Sequence, residues 1–266
     1  MSFVPTRHPE CSRRVLPVAA TLLVSVFPHA FDGQCFDRLL KRGVVVAAFA
    51  LDDWRNWIGD AFDMLDARER ERVQRQRQAH YRDHLALAYA LHRLVLAHAL
   101  GMPYERVPLR RDARGRPLVE GVEVDTSLSH AEGYVAVALG LAGPLGVDIE
   151  PAHRAGVMPE IAERICHADE VADMAAHGGA GQGAALLELW VRKEAFLKAA
   201  GVGLEREMES FALPEGRAQA LHAGQPVQSV VDLLDLGPSV ACAVARVPGV
   251  PCVAGWLRPQ QWLERR

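Results

Sequence analysis

The sequence has few cysteines and no surplus of positive charge. Its 266 residues include five cysteines, and no two of them form a C-x-x-C pair, so neither a disulfide framework nor a zinc site is indicated. We therefore expect a reducing compartment. The formal net charge of −3 argues against a general nucleic-acid binder, because such a domain is expected to be clearly basic.

Long apolar runs are scarce as well. Residues 15–27 form an apolar run behind Arg13 and Arg14, as in a secretory signal, but the run is too short to span a bilayer. The long segment before the run, and Pro17 within it, weigh against export. We expect residues 1–42 to be either an additional packed element or the product of an upstream start codon, with no membrane association.

The clearest helical pattern covers residues 186–201. Leucines, alanines and Phe196 recur at helical spacing, and Gly201 stands where a helix C-cap belongs. Glu194 and Lys198 are four residues apart, so they project from the same face of this helix. Taken alone, they would be a solvated ion pair that stabilises the helix by about 0.3 kcal/mol.

A strand with two acids precedes this helix by about forty residues. In Gly146–Pro151, Val147 and Ile149 alternate with Asp148 and Glu150, which is the period of a strand. Both carboxylates therefore point the same way, and the apolar pair points into the core. Like charges on one face repel unless a cation lies between them, and carboxylate oxygens are typical Mg²⁺ ligands. An exposed edge strand with solvated acids is the alternative.

Four segments carry a family resemblance. Gly146–Pro151 is similar to the motif G-[IV]-D-[IVL]-E, and residues 190–198 are similar to W-x-x-K-E-[AS]-x-x-K. Residues 115–117 are similar to G-[KR]-P, and residues 127–130 are similar to [FN]-x-S-[ILV]-S-H. In this order and spacing, they resemble the 4'-phosphopantetheinyl transferases of the larger, surfactin-synthetase-activating type.

The resemblance implies a reaction and a metal site. The 4'-phosphopantetheine group of coenzyme A would pass to a serine of an acyl or peptidyl carrier protein, with release of 3',5'-ADP. Asp148, Glu150 and Glu194 would hold Mg²⁺. Glu194, directly or through a metal-bound water, would also take the serine proton, and Lys198 would stabilise the leaving 3',5'-ADP.

The resemblance also implies the coenzyme A ligands. Guanidinium and imidazolium groups suit phosphate oxygens, and an arginine and a histidine stand in the matching motifs. In relatives, a phosphate-binding arginine falls at the position of His84, so Arg82 is expected to take its role. The predicted coenzyme A ligands are Arg116, Pro117, Ser129, His130, Lys198 and Arg82.

The chain repeats its pattern after about one hundred residues. The helical pattern of residues 87–101 matches residues 187–201, and the strand pattern of residues 134–139 matches residues 240–245. Two similar α+β halves, each with helices on a small antiparallel sheet, predict a cleft between them. The resemblance implies the same pseudo-twofold fold, with coenzyme A at the junction of the halves in a monomer.

These patterns divide the chain. Val44–Ala50 is predicted to be a buried strand, residues 85–100 a helix, and residues 177–183 a flexible glycine loop. The predicted segments are an N-terminal extension at 1–42, a first half at 43–143, a second half at 144–258 and a polar tail at 259–266.

Two other functions stay open. One is a catalytically impaired relative that serves as a carrier-protein-binding module, which the departure at His84 would allow. The other is a different Mg²⁺-dependent nucleotide phosphotransfer enzyme, which the acidic pair and the lysine alone would permit. Carrier proteins of fatty-acid, polyketide or nonribosomal peptide synthases fit the resemblance equally well.

Overall fold

The fold is known from a computed structural model that describes residues 43–259, with gaps at 113–114, 142, 204–205, 223 and 225. The predicted N-terminal extension, 1–42, and all but the first residue of the predicted tail lie outside the described residues. None of the described helices combines the length and the apolar character that a membrane crossing requires.

Ten strands are described. They are β1 (Val44–Ala50), β2 (Leu109–Arg111), β3 (Pro117–Val119), β4 (Asp125–Ala131), β5 (Tyr134–Gly140), β6 (Gly146–Pro151), β7 (Gln219–Ala220), β8 (Gln228–Leu233), β9 (Val240–Arg246) and β10 (Cys252–Trp256). The described α-helices are α1 (Leu51–Trp54), α2 (Ile58–Met64), α3 (Ala67–Gln74), α4 (Ala79–Leu100), α5 (Ala162–Ile165), α6 (Ala168–Ala176) and α7 (Gly179–Ala200). Short 3₁₀ helices lie at Arg55–Trp57, Tyr104–Arg106, Ala152–Gly156, Met158–Ile161 and Met208–Ser210.

In the described part of the chain, the strands form two four-stranded sheets and one hairpin. The first sheet has the order β10-β1-β5-β4, the second has the order β6-β9-β8-β7, and β2 pairs with β3. Each pair is antiparallel except β1 with β10, which is parallel. The predicted α+β class with antiparallel sheets and packed helices is confirmed.

Each large sheet carries one long helix. Helices α4 and α7 both have 22 residues, and each ends at a glycine with a left-handed backbone, Gly101 and Gly201. Helix α4 packs on β1 and β5 in one apolar core, and α7 packs on β6 and β9 in another. Helix α4 starts at Ala79 and not at the predicted residue 85, because the charged segment before the apolar pattern is helical too.

Each half has a four-stranded sheet and one long helix, which agrees with the sequence repeat. The twofold relation between the halves stays a prediction, and so do their boundaries. Strand β10 follows the second sheet in the chain, yet it pairs with β1, with Val44 opposite Cys252 and Ala48 opposite Trp256. The end of the described chain therefore returns to the first sheet and ties the halves together.

The predicted glycine loop at residues 177–183 is wrong, because Gly179 to Gly183 form the first turns of α7. Packing accounts for the difference. A Cβ on Gly183 would lie 2.3 Å from the carbonyl oxygen of Ala155, so only glycine lets the 3₁₀ helix Ala152–Gly156 approach α7 this closely. This contact outweighs the low helix propensity of glycine, which costs about 1 kcal/mol per residue relative to alanine.

Candidate functional site

Strand β6 and helix α7 touch backbone to backbone. A Cβ on Gly146 would lie 1.9 Å from the carbonyl oxygen of Ala195 and 2.6 Å from the amide nitrogen of Ala199, so the contact requires glycine. Asp148 and Glu150 are only 4% and 8% exposed, and the predicted alternative of solvated acids on an exposed edge is therefore wrong. The close approach brings these carboxylates next to the side chains of α7.

One hydrogen-bonded group joins three elements at this place. The Asp148 Oδ1 atom accepts from Lys198 Nζ at 2.6 Å and from Ser129 Oγ at 2.7 Å. Lys198 Nζ also donates to Ser129 Oγ at 2.9 Å. The structure thus brings together three predicted site residues, from β6, α7 and β4, that are 19 to 69 positions apart in the chain.

The other acid of β6 has a cation of its own. Glu150 Oε1 accepts from Arg154 Nη1 at 2.5 Å. The second oxygens, Asp148 Oδ2 and Glu150 Oε2, are buried and have no hydrogen-bond partner among the described residues. A buried acceptor without a partner is unfavourable, so two such oxygens on neighbouring acids are suited to a bound cation.

Glu194 lies one helical turn before Lys198 and completes the acidic cluster, which we define as Asp148, Glu150 and Glu194. The pKa of Glu194 is raised to about 7, chiefly by burial and also by the negative charges of Asp148 and Glu150, while the Lys198 ammonium opposes the rise. Among the described residues, no three His, Cys, Asp or Glu side chains converge closely enough to form a ready metal centre. The carboxylates would have to draw together around a cation.

A cavity of about 620 Å³ opens beside the acidic cluster. Positive groups dominate its polar wall, and Pro117 adds an apolar surface. The Arg116 guanidinium lies against the C-terminus of α7, where a Cβ on Gly201 would be 2.1 Å from Arg116 Nη1. The charged side chains that line the cavity are Arg72, Arg111, Asp112, Arg116, Glu194 and Lys198, and His130 and Tyr89 line it too.

His130 lies at the end of β4 and lines the same cavity. Its side chain is open to solvent in the cleft, although protein surrounds it on several sides. This burial in the cleft, together with the positive charges of Lys198 and Arg111, lowers the pKa of His130 to about 4. The imidazole is therefore neutral at pH 7 in the ligand-free protein, whereas the predicted phosphate ligand is an imidazolium.

Arg82 and His84 differ in their surroundings. Arg82 Nη1 donates to the backbone oxygens of Gln76 and Arg77, each at 3.1 Å. His84 shares a smaller cavity of about 210 Å³ with His130. His84 is thus next to a residue that lines the cavity of about 620 Å³, and the phosphate-binding role of Arg82 stays a prediction.

Two arginines of the cavity wall were not identified from the sequence. Arg72 belongs to a stretch so rich in arginine that a solvated helical face is the default interpretation, yet its guanidinium lies 2.4 Å from where a Cβ of Gly115 would be. Arg111 directly precedes the segment that carries Gly115, and this proximity to a recognised motif is the signal that could have identified it.

Arg111 is held by buried partners. Its Nε donates to Glu69 Oε1 at 3.1 Å, its Nη2 donates to His92 Nδ1 at 3.2 Å, and its guanidinium lies 4.0 Å from the centre of the Tyr89 ring. Thr126 Oγ1 donates to a backbone oxygen and therefore accepts from His92 Nε2, which leaves Nδ1 unprotonated to accept from Arg111. The guanidinium is consequently fixed at the cavity wall.

Lys193, the motif lysine next to Glu194, points away from the cavity and is fully buried. Its Nζ donates to the backbone oxygens of Ile165, Met208 and Phe211 at 2.8 to 2.9 Å and to Glu170 Oε2 at 2.6 Å. Lys193 thus links α5, α6 and the 3₁₀ helix Met208–Ser210 to α7. These contacts support α7 on the side away from the cavity.

Comparisons with known proteins agree with these features. The sequence profile of the 4'-phosphopantetheinyl transferase superfamily matches residues 144–244, and the profile described as 4'-phosphopantetheinyl transferase, N-terminal, matches residues 53–140. The 4'-phosphopantetheinyl transferase psf-1 of Bacillus pumilus is 30% identical over 162 residues, which are 59% of this chain and 68% of that protein. The 4'-phosphopantetheinyl transferase gsp of Aneurinibacillus migulanus is 28% identical over 135 residues, which are 51% of this chain and 55% of that protein.

Proposed function

Because the chain belongs to the 4'-phosphopantetheinyl transferase superfamily, we propose that it transfers the 4'-phosphopantetheine group of coenzyme A to a serine hydroxyl of a carrier protein. The serine oxygen attacks the phosphorus that bears the pantetheine. The bond from this phosphorus to the bridging oxygen breaks, 3',5'-ADP leaves, and the serine proton passes to a base. The observation that carries this proposal is the acidic cluster with Lys198 at one end of a cavity of about 620 Å³ lined by arginines.

The arginines of the cavity suit a substrate with several phosphates. Arg72, Arg111 and Arg116 line one wall, and guanidinium groups bind phosphate oxygens in pairs of hydrogen bonds. Arg111 is already oriented by Glu69 and His92, so little conformational freedom would be lost when a phosphate binds. We assign these arginines to the phosphates of coenzyme A, with Pro117 beside them as an apolar contact.

His130 lines the same cavity as these arginines, and Ser129 precedes it on β4 and contacts the acidic cluster through Asp148. A phosphate group beside His130 would add negative charge and would raise the pKa of the imidazole from its low value of about 4. His130 would then bind as a hydrogen-bond donor. The Ser129 hydroxyl, which already contacts Asp148 and Lys198, would position these two groups at the pyrophosphate.

We assign Mg²⁺ to Asp148, Glu150 and Glu194. The two bare, buried oxygens on Asp148 and Glu150 fit a hard cation with oxygen ligands, and the mutual repulsion of the three carboxylates would be relieved by it. When bound, Mg²⁺ would supply positive charge to the pyrophosphate oxygens. Replacement of Asp148 by Ala should abolish transfer while the protein stays folded, because the change removes one of several neighbouring like charges.

Glu194 and Lys198 would carry the remaining chemistry. Glu194 lines the cavity one turn from Lys198, and this position suits it as the base that takes the serine proton, directly or through a metal-bound water. The Lys198 ammonium lies one turn further along α7 and can stabilise the charge that develops on the leaving 3',5'-ADP.

The partner would be an acyl or peptidyl carrier protein. Residues of one chain line the cavity, so we expect a monomer that binds one coenzyme A. Because coenzyme A is an intracellular substrate, we expect a cytoplasmic location. We expect no role for nucleic acid or membrane.

Release of 3',5'-ADP tests the proposal. The protein is incubated with coenzyme A, Mg²⁺ and an apo carrier protein, and the nucleotides are separated by liquid chromatography. We expect 3',5'-ADP only when the carrier retains its acceptor serine. Carrier binding without nucleotide release would favour the binding-module alternative, and release of a different nucleotide would favour another phosphotransfer reaction.

A further inference from the structure

Arg154 lies outside all four sequence motifs, yet it contacts the acidic cluster directly. It lies in the 3₁₀ helix Ala152–Gly156, four residues after Glu150, and its Nη1 donates to Glu150 Oε1 at 2.5 Å. We propose that Arg154 is the positioning residue of Glu150 in the divalent-cation site, an inference that rests on the proposed function. Arg154 holds one oxygen of Glu150, and the other oxygen is thereby presented to the cation.

The two acids of β6 are held in the same way. Asp148 binds the Lys198 ammonium through Oδ1, and Glu150 binds the Arg154 guanidinium through Oε1. In both residues, the second oxygen is buried and has no partner in the described part of the chain. Each carboxylate therefore has one fixed and one bare oxygen, and this arrangement turns two flexible side chains into oriented ligands.

The position of Arg154 is itself fixed. At the start of its 3₁₀ helix, the amide of Ala152 donates to the backbone oxygen of Ser239 at 2.9 Å. Near the end, the carbonyl of Ala155 packs against Gly183 of α7. The guanidinium also lies 5.8 Å from the centre of the Trp190 ring, within the range of a cation–π interaction. The backbone that carries Arg154 is thus held in place by its neighbours on both sides.

Two effects of Arg154 on a divalent cation oppose each other. Its positive charge repels the cation, whereas its hydrogen bond orients the ligand. We expect orientation to dominate, because Arg154 holds Oε1 of the buried Glu150 and leaves Oε2 without a protein partner among the described residues. Loss of a group that orients a metal ligand typically lowers metal affinity by about 10- to 100-fold.

The test compares Arg154→Met, Arg154→Lys and Arg75→Met with the wild-type protein. Arg75 forms the control, because it also pairs with a glutamate four residues away, Glu71, at 2.6 Å, but on α3 and outside the acidic cluster. Mn²⁺ binding is measured by electron paramagnetic resonance without coenzyme A. Coenzyme A binding in EDTA and thermal unfolding report on the cleft and the fold.

We expect Arg154→Met to weaken Mn²⁺ binding at least about tenfold, with coenzyme A binding in EDTA unchanged. Arg154→Lys, which keeps the charge at similar reach, should recover most of the affinity, and Arg75→Met should match the wild type. Wild-type Mn²⁺ affinity in a folded Arg154→Met protein would overturn this inference alone, as would a failure of lysine to rescue. If the wild-type protein itself bound no Mn²⁺, the metal assignment would fall together with the inference.

Discussion

Replacement of Glu194 by Gln should make the metal-free protein more stable at alkaline pH. The folded protein holds the pKa of Glu194 at about 7, compared with an ordinary value of 4.5. Because the pKa is raised, the folded state resists ionisation of this group, and the free energy of unfolding falls as the pH rises from about 4.5 to about 7. Glutamine cannot ionise, so the free energy of unfolding of the variant does not fall for this reason.

The size of the effect follows from the two pKa values. The two pKa values differ by about 2.5, and each step of one corresponds to about 1.4 kcal/mol, so glutamine should raise the free energy of unfolding by at most about 3.5 kcal/mol above pH 8. At pH 5, Glu194 is still mostly protonated in the folded protein, and the advantage of glutamine should be under about 1 kcal/mol. The same variant should lose transferase activity.

Urea denaturation at pH 5 and pH 8.5, in EDTA, measures this difference. Glu188→Gln is the matched control, because Glu188 lies on the same helix but is exposed to solvent. Its free energy of unfolding should change little, and equally at both pH values. An advantage of Glu194→Gln that did not grow with pH, or a destabilised variant at pH 8.5, would refute the interpretation of Glu194 as a buried carboxylate beside Asp148 and Glu150.

Three further predictions concern the helix, the strand and the phosphate site. Lys198→Ala should lower turnover far more than coenzyme A affinity, compared by steady-state kinetics and calorimetry, because the ammonium acts mainly on the leaving group; a loss confined to affinity would contradict this. Gly146→Ala should cost at least about 3 kcal/mol in urea denaturation or prevent folding, because the new Cβ would meet the backbone of α7, whereas Gly59→Ala, which meets open space, should be neutral or stabilising. Coenzyme A binding near pH 6 should take up protons through His130, seen as buffer-dependent calorimetric heats that vanish in His130→Gln.

The sequence predicts the core of the site because the relevant signals are local. The alternation in Gly146–Pro151 and the helical spacing of Glu194 and Lys198 each follow from a single element. Their contact depends on Gly146, and the glycine is part of the motif. The family resemblance then supplies the pairing of the two elements, which no local pattern contains.

The remaining features depend on contacts between distant segments. Pairing of β10 with β1 joins residues about two hundred positions apart, and neither strand carries a local signal for it. The composition of the glycine-rich segment at the start of α7 predicts a loop. The close approach of Ala155 to Gly183 explains why glycine is used in this helix. Arg72 and Arg111 resemble surface charges until the fold turns them towards one cavity.

The most direct test of the account is the intact mass of an apo carrier protein after incubation with this protein, coenzyme A and Mg²⁺. We predict a gain equal to one phosphopantetheine group, which is absent when the acceptor serine is replaced by alanine or when the enzyme carries Asp148→Ala. An unchanged carrier mass, a gain of any other mass, or a gain that survives loss of the serine would contradict it.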